Sequence, residues 1–409
     1  MKLHNLYTGA FLLLFIIFST GAQAQSKFVH TSGRDIVTAD GKPLLLKGIN
    51  LGNWLVPEGY MFKFSNTSSP RKIYTLVNEL IGPADAAEFW KQYRDSYITE
   101  EDIHFIKSCG LNSIRVPFHF MFFASEENPD QVINTGFVLF DRLLKWCEKE
   151  DLSVILDMHC APGGQTGDNI DDSYGFPFLF ESEASQNLAI GIWTKIAERY
   201  KDRTIIIGYD IINEPVAHYF NADSLNPKLL KFYKQAVPAI RAVDKNHVLF
   251  IGGAQWNSNF SIFTESLDPN SVFTFHKYWT PPDQSVIQDY INLSEKLNTP
   301  LWLGESGENS DEWINTFREM LEKNKIGWCF WPYKKLDAQS CMAYIKRPAQ
   351  YDSVIAFAEG PRTSFDDLRK NHKAPALVKQ ILHDYLENIK FRNCVINHGY
   401  LKALGIKEQ

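Results

Sequence analysis

Residues 203–215 read RTIIIGYDIINEP, and their reading decides the fold. The isoleucine-rich run has the length and composition of a buried β-strand, while Asn213-Glu214-Pro215 ends it with an amide, a carboxylate and a residue that has no N–H to give. A strand buried on both faces belongs to a parallel sheet covered by helices. Seven further runs have the same character: Leu44–Asn50, Ser113–Pro117, Ser153–Asp157, Val248–Ile251, Val272–His276, Leu301–Gly304 and Ile326–Trp331. Amphipathic helical patterns separate them. TEEDIHFIKSCG, for example, opens on a Thr99/Asp102 capping box and closes on Gly110. Eight strands alternating with helices predict an α/β fold, a (β/α)8 TIM barrel with enlarged βα loops. An open doubly wound sheet is the alternative, although no G-x-G-x-x-G follows the first strand. FVHTSGRDIVTADGKPLLLKG carries an Asp40-Gly41 turn and predicts an N-terminal β-hairpin closing the barrel's lower end.

The chain has 409 residues, a formal charge of −6 and 22% charged residues, which gives no basic footprint for nucleic acid. Its first 24 residues have an early Lys2, an apolar stretch from Ala10 to Phe18 and Ala22-Gln23-Ala24. That pattern predicts a signal peptide cut after Ala24, hence export to the periplasm or medium. The apolar stretch is short for a membrane anchor. Residues 25–409 are then a single catalytic domain, expected to be monomeric. The six cysteines form no C-x-x-C pair, so no metal site is expected and most are read as buried free thiols.

In a barrel of this kind the chemistry lies at the C-terminal strand ends. The first strand is followed by Asn50, Asn53, Trp54 and Glu58, and the second carries Arg115. The third ends at His159 before a glycine-rich loop, the fourth at Asn213 and Glu214, and Trp256 follows the fifth. The sixth ends with His276 and Tyr278, the seventh at Glu305 and the eighth at Trp331. Singly, each has a bland reading as a salt-bridge partner, a turn or core, and Asp210 in mid-strand is read as structural. Together they would converge on one rim. Two carboxylates without metal-ligand spacing suit glycoside hydrolysis, in which one carboxyl protonates the leaving oxygen and the other attacks the anomeric carbon. Arg115 and Tyr278 are placed to keep Glu305 ionised. Asn213 is placed to hold a sugar 2-OH, and Trp331 offers a flat face to a pyranose. No cofactor is required.

The ordered set Arg115, His159, Asn213-Glu214-Pro215, His276-Lys277-Tyr278, Glu305 and Trp331 resembles glycoside hydrolase family 5 (clan A) from about Leu44 to Trp331. The resemblance implies a retaining enzyme with Glu214 as acid/base and Glu305 as nucleophile. GINLGNWLVPEG and HCAPGGQTGDN resemble the exo-β-1,3-glucanase branch, which implies a β-glucan substrate and makes Glu58 a contact for the sugar in subsite −1. GESGE and WPYKKLDAQSCMAYIKRP depart from that branch. A β-1,4-glucanase or mannanase, and a non-catalytic carbohydrate-binding barrel, remain alternatives. The long Pro332–Asn371 connection carries Tyr333, Lys334, Lys335 and Tyr344 as residues that would shape the cleft.

Overall fold

The computed structural model describes residues 27–131 and 133–407; residues 1–24, read above as an export leader, lie outside them. Eight parallel strands close into a barrel: β1 Lys47–Asn50, β2 Ser113–His119, β3 Ser153–Cys160, β4 Ile206–Asp210, β5 Val248–Gly252, β6 Ser271–Lys277, β7 Leu301–Ser306 and β8 Gly327–Phe330. They pair in sequence order and β8 pairs back onto β1. The predicted strands are all present with shifted ends. β4 stops at Asp210, so Ile211 and Ile212 lie beyond the regular ladder as the chain bends toward Asn213. β2 and β3 run further than expected, to His119 and Cys160.

The alternation of side chains along each strand builds two apolar layers. Inside the barrel Ile155, Ile207, Val248, Phe250, Val272, Trp302 and Cys329 pack together, with Phe250 and Trp302 ring centres 4.9 Å apart. Ile36, from the N-terminal hairpin His30–Ser32/Asp35–Val37, joins this cluster and closes the lower end. The hairpin turn itself is at Gly33-Arg34, and the predicted Asp40-Gly41 turn forms the next reversal, held by a single Val37–Pro43 bridge. Outside the barrel, residues such as Ile114, Val116, Leu156 and Tyr209 meet the helices. The helix Glu100–Ser108 has the expected Thr99/Asp102 capping box.

The enlarged loops carry structure of their own. Between β1 and β2 lie the helices Pro70–Ile81 and Pro83–Tyr97, which pack with Pro375–Asn388 around Phe62, Tyr93 and Tyr385. After β8 a three-stranded sheet forms from Lys334–Leu336, Ala343–Ile345 and Val395–Ile396. All six cysteines are free, and among the described residues no helix is long and apolar enough to cross a membrane.

Candidate active site

Strand register sets the first neighbours. Asn50 pairs with Arg115, Asp157 with Asp210, and His276 with Glu305, so the members of each pair start side by side on neighbouring strands. Arg115 is fully buried, and its guanidinium organises the floor. Nε donates to Asp210 Oδ2 at 2.8 Å, Nη1 to Asn50 Oδ1 at 3.1 Å and to Glu305 Oε1, and Nη2 to Asn213 Oδ1 at 2.9 Å. Nη2 also forms an ion pair with Asp157 Oδ1 at 3.0 Å, at an angle short of a hydrogen bond. Burial alone would lower the Arg115 pKa, but Asp157, Asp210 and Glu305 more than offset it, so the charge stays.

Glu214 follows the strand in an unusual conformation. Its φ is 44° and that of Val216 is 59°, a region costing non-glycine residues about 1–3 kcal/mol each. The glycine-rich loop after β3 holds this turn in place. Gln165 Nε2 donates to the carbonyls of His159 and Asn213, both at 2.8 Å, and Thr166 Oγ1 donates to the Glu214 carbonyl at 2.7 Å. The N–H groups of Val216 and Ala217 return to the carbonyls of Gln165 and Thr166. Gly163, Gly164 and Gly167 all have positive φ, which lets the loop double back tightly enough to reach the turn.

The two carboxylates face one another. One oxygen of Glu214, one of Glu305 and a ring nitrogen of His276 all lie within 4.8 Å of each other. Burial drives the Glu214 carboxyl well above the ordinary carboxylate range, and the Glu305 charge adds to it. Burial raises Glu305 too, but Arg115 and His159 pull it back. Arg115 thus favours the ionised form of Glu305, as its placement leads one to expect, although desolvation outweighs it in the net shift. Glu305 nevertheless remains the more readily ionised of the pair.

The surrounding side chains act as fixed dipoles. Burial lowers His159 to about 3 and His276 well below its ordinary value, so both imidazoles are neutral. Asn257 Nδ2, 3.3 Å from His276 Nε2, leaves the ring hydrogen on Nδ1, which donates to Glu214 Oε1 at 2.8 Å. His159 Nδ1 likewise faces Asp157 Oδ2 at 2.8 Å. Tyr278 OH donates to Glu305 Oε2 at 3.2 Å. Trp331 lies parallel to His159, ring centres 5.6 Å apart, and a Cβ on Gly52 would come within 2.6 Å of the indole. These groups border a cavity of about 710 Å³ lined by Glu58, Tyr60, His159, Glu214, His218, Trp256, Tyr278, Trp279, Glu305, Glu308 and Trp331, among others.

Against the model for cellulase, glycosyl hydrolase family 5, the chain matches over residues 73–337. The chain belongs to glycosyl hydrolase family 5. Among the proteins similar to it, a beta-xylosidase from Phanerodontia chrysosporium is 27% identical over 399 residues, covering 88% of this chain and 82% of that protein. A glucan 1,3-beta-glucosidase from Pichia angusta is 25% identical over 274 residues, covering 64% and 61%. The crystal structure of rutinosidase from Aspergillus niger superposes with a TM-score of 0.59 at 16% identity, covering 84% of this chain and 98% of that one. Membership makes the chain a glycoside hydrolase on a (β/α)8 barrel.

Most of the expected site residues reach the cavity; Arg115, Asn213, Asn53 and Trp54 do not line it. Trp54 is buried in the core with Nε1 donating to the Arg94 carbonyl at 2.9 Å, so it faces away from the cleft. Asn53, at φ 66°, supports from behind: its Oδ1 accepts the Glu58 N–H at 2.9 Å. Asn213 is fully buried between Arg115 and His159, and one of its two Nδ2 hydrogens has no partner among the described residues. Of the residues expected to shape the cleft after Pro332, Tyr333 and Lys334 point into the core, where both contact Asp102, whereas Lys335 reaches the cavity residue Glu308. Sequence reasoning missed Asp157, Tyr60, His218 and Glu308. A signal for the first was present: an aspartate inside VILDMH needs a buried counter-charge, as does Asp210 in IIGYDII.

Proposed function

We propose that this protein is an exported, monomeric, retaining β-glycosidase that cleaves β-glucan, with β-1,3-linkages favoured. The facing of Glu214 and Glu305 carries the reading. Oxygens within 4.8 Å suit direct attack, since retaining enzymes hold their carboxyl groups about 5–5.5 Å apart and inverting ones about 6.5–9.5 Å. Glu214, raised by burial and by Glu305, donates its proton to the glycosidic oxygen as that bond breaks. Glu305, closer to its ionised form because of Arg115, attacks the anomeric carbon and forms a glycosyl ester. The Glu214 carboxylate, receiving the His276 Nδ1–H, then takes a proton from water. The resulting hydroxide attacks the same carbon, and Glu305 leaves as carboxylate. Asn213 Nδ2 donates to the sugar 2-OH, a contact that strengthens in the oxocarbenium-like state. Trp331 seats the ring, and Glu58, with one buried oxygen lacking a partner among the described residues, accepts from a hydroxyl in subsite −1.

The β-1,3 preference rests on GINLGNWLVPEG and HCAPGGQTGDN and on the glucan 1,3-beta-glucosidase relative. Product profiling on laminarin, cellulose and mannan oligosaccharides, with the anomer of the first product followed by NMR, tests both linkage and stereochemistry. A first product of inverted configuration, or turnover confined to β-1,4-linkages, overturns the corresponding part. Residues 1–24 act as the export leader; a secreted protein beginning at Gln25 is the expected mass-spectrometric result.

A further inference from the structure

The two segments that depart from the family branch, GESGE at the end of β7 and PYKKLDAQSC after β8, meet each other. Lys335 Nζ lies 2.5 Å from Glu308 Oε2, and Ser340 Oγ donates to the same oxygen at 3.0 Å. The Lys335 ammonium also sits 4.9 Å from the centre of the Tyr60 ring. Tyr60 OH donates to Glu308 Oε1 at 3.3 Å and accepts the Trp331 indole N–H at 2.6 Å. One cation therefore fixes Glu308 and Tyr60, and through Tyr60 the plane of Trp331.

Glu308, Tyr60 and Trp331 all line the catalytic cavity, whereas Lys335 lies behind them with its side chain 8% exposed. Glu308 Oε2 is claimed by two donors. Oε1 holds a single long bond, so this carboxylate keeps acceptor capacity at the cavity wall. Among the described residues it shares no side-chain donor with Glu214 or Glu305. A latch for the loop after β8 would need only the lysine and serine contacts. The free acceptor facing a sugar-sized cavity is what such a latch leaves unexplained.

We propose that Glu308, held by Lys335 and Ser340, is a specificity-determining residue that accepts a hydrogen bond from a hydroxyl of the sugar seated on Trp331. Lys335 is its positioning residue. The proposal rests on the β-glycosidase reading of this cavity.

The test uses the purified enzyme with 4-nitrophenyl β-glucoside, β-xyloside, β-mannoside, β-galactoside and the monodeoxy glucosides. Wild type should lose about 10- to 100-fold in kcat/KM on the one deoxy glucoside that lacks the hydroxyl Glu308 meets, the scale of a hydrogen bond to a charged group. Glu308→Ala should be slowed by that factor on the full glucoside and show no further loss on the deoxy one. Lys335→Met should raise KM more than it lowers kcat and blunt the same discrimination, with Lys335→Arg restoring most of it. Should Glu308→Ala fail to fold, Glu308→Gln takes its place, with a several-fold weakening expected. Discrimination surviving intact in the Glu308 variant, or a uniform loss on every sugar, overturns the proposal alone, provided wild type turns over and Glu305→Gln does not. Activity persisting in Glu305→Gln, or no turnover of any glycoside by wild type, sinks the underlying reading and this proposal with it.

Discussion

Arg115 Nε lies 2.8 Å from Asp210 Oδ2 on β4, while Nη1 of the same guanidinium reaches Glu305 on β7. Glu305, the proposed nucleophile, is thus tied across the barrel to β4 through one planar cation. Replacing Arg115 with Met leaves Asp157, Asp210 and Glu305 buried without their counter-charge. A loss of about 3–5 kcal/mol is expected in urea unfolding. Arg115→Lys keeps the charge but not the fork, so it should recover part of the stability while kcat/KM stays down by about 100-fold or more.

Burial pushes Asp157 and Asp210 up to about 7, with Arg115 opposing. Their unfolded value lies near 3.8, so between those values the folded state binds more protons. Stability from these groups is therefore present below about pH 4, falls as pH rises toward about 7 and then levels. In Asp210→Asn its share of this slope should vanish. Thermal melts of the variant across that window with the wild-type slope would refute the assignment.

Glu305→Gln should abolish turnover with an unchanged melting temperature. Glu214→Gln should cost far more on glycosides with poor leaving groups than on dinitrophenyl glycosides, whose departure needs no proton. Comparable losses on both would remove Glu214 from the acid role.

The pH profile of kcat/KM should be bell-shaped. Activity falls as pH drops through Glu305, which must be ionised, and again as pH rises through Glu214, which must carry its proton. Because burial raises both, each limb should lie above the usual carboxylate range, with apparent values belonging to the pair. An acid limb at or below 4.5, the unshifted glutamate value, contradicts this.

Adjacent lysines should behave oppositely. Lys334 Nζ is 2.5 Å from Asp102 Oδ1 and bonds the carbonyls of Tyr97 and Ile389, all in the core. Lys334→Met should destabilise by about 3–5 kcal/mol yet leave kcat/KM of the folded enzyme unchanged. Altered sugar preference in this variant would show that its contacts reach the cavity.

What could be read from sequence is what a strand transmits. A residue on a buried strand has its level and face set by the ladder, so Arg115, His159, His276 and Glu305 could be placed from the sequence alone, whereas Glu214 lies beyond the end of β4 in a turn held by the glycine-rich loop. Trp54 could not. It sits in a loop without period, one residue after Asn53 at φ 66°, and that single backbone turn decides which way the indole goes. The helices Pro70–Ile81 and Pro83–Tyr97 went unread because they lie inside what the alternation treats as one connection. Glu308 and Lys335 belong to different loops, and no local pattern announces their pairing.

The strand Val395–Ile396 completes the small sheet that carries Lys335, and Tyr400 OH, on the helix after it, donates to the Trp331 carbonyl at 3.4 Å. A stretch some 65 residues downstream of the last barrel strand is therefore part of the bracket that holds Trp331, the proposed sugar platform. For anyone handling this enzyme, residues 395–404 are working parts: a linker or affinity tag spliced into them would act as an active-site mutation.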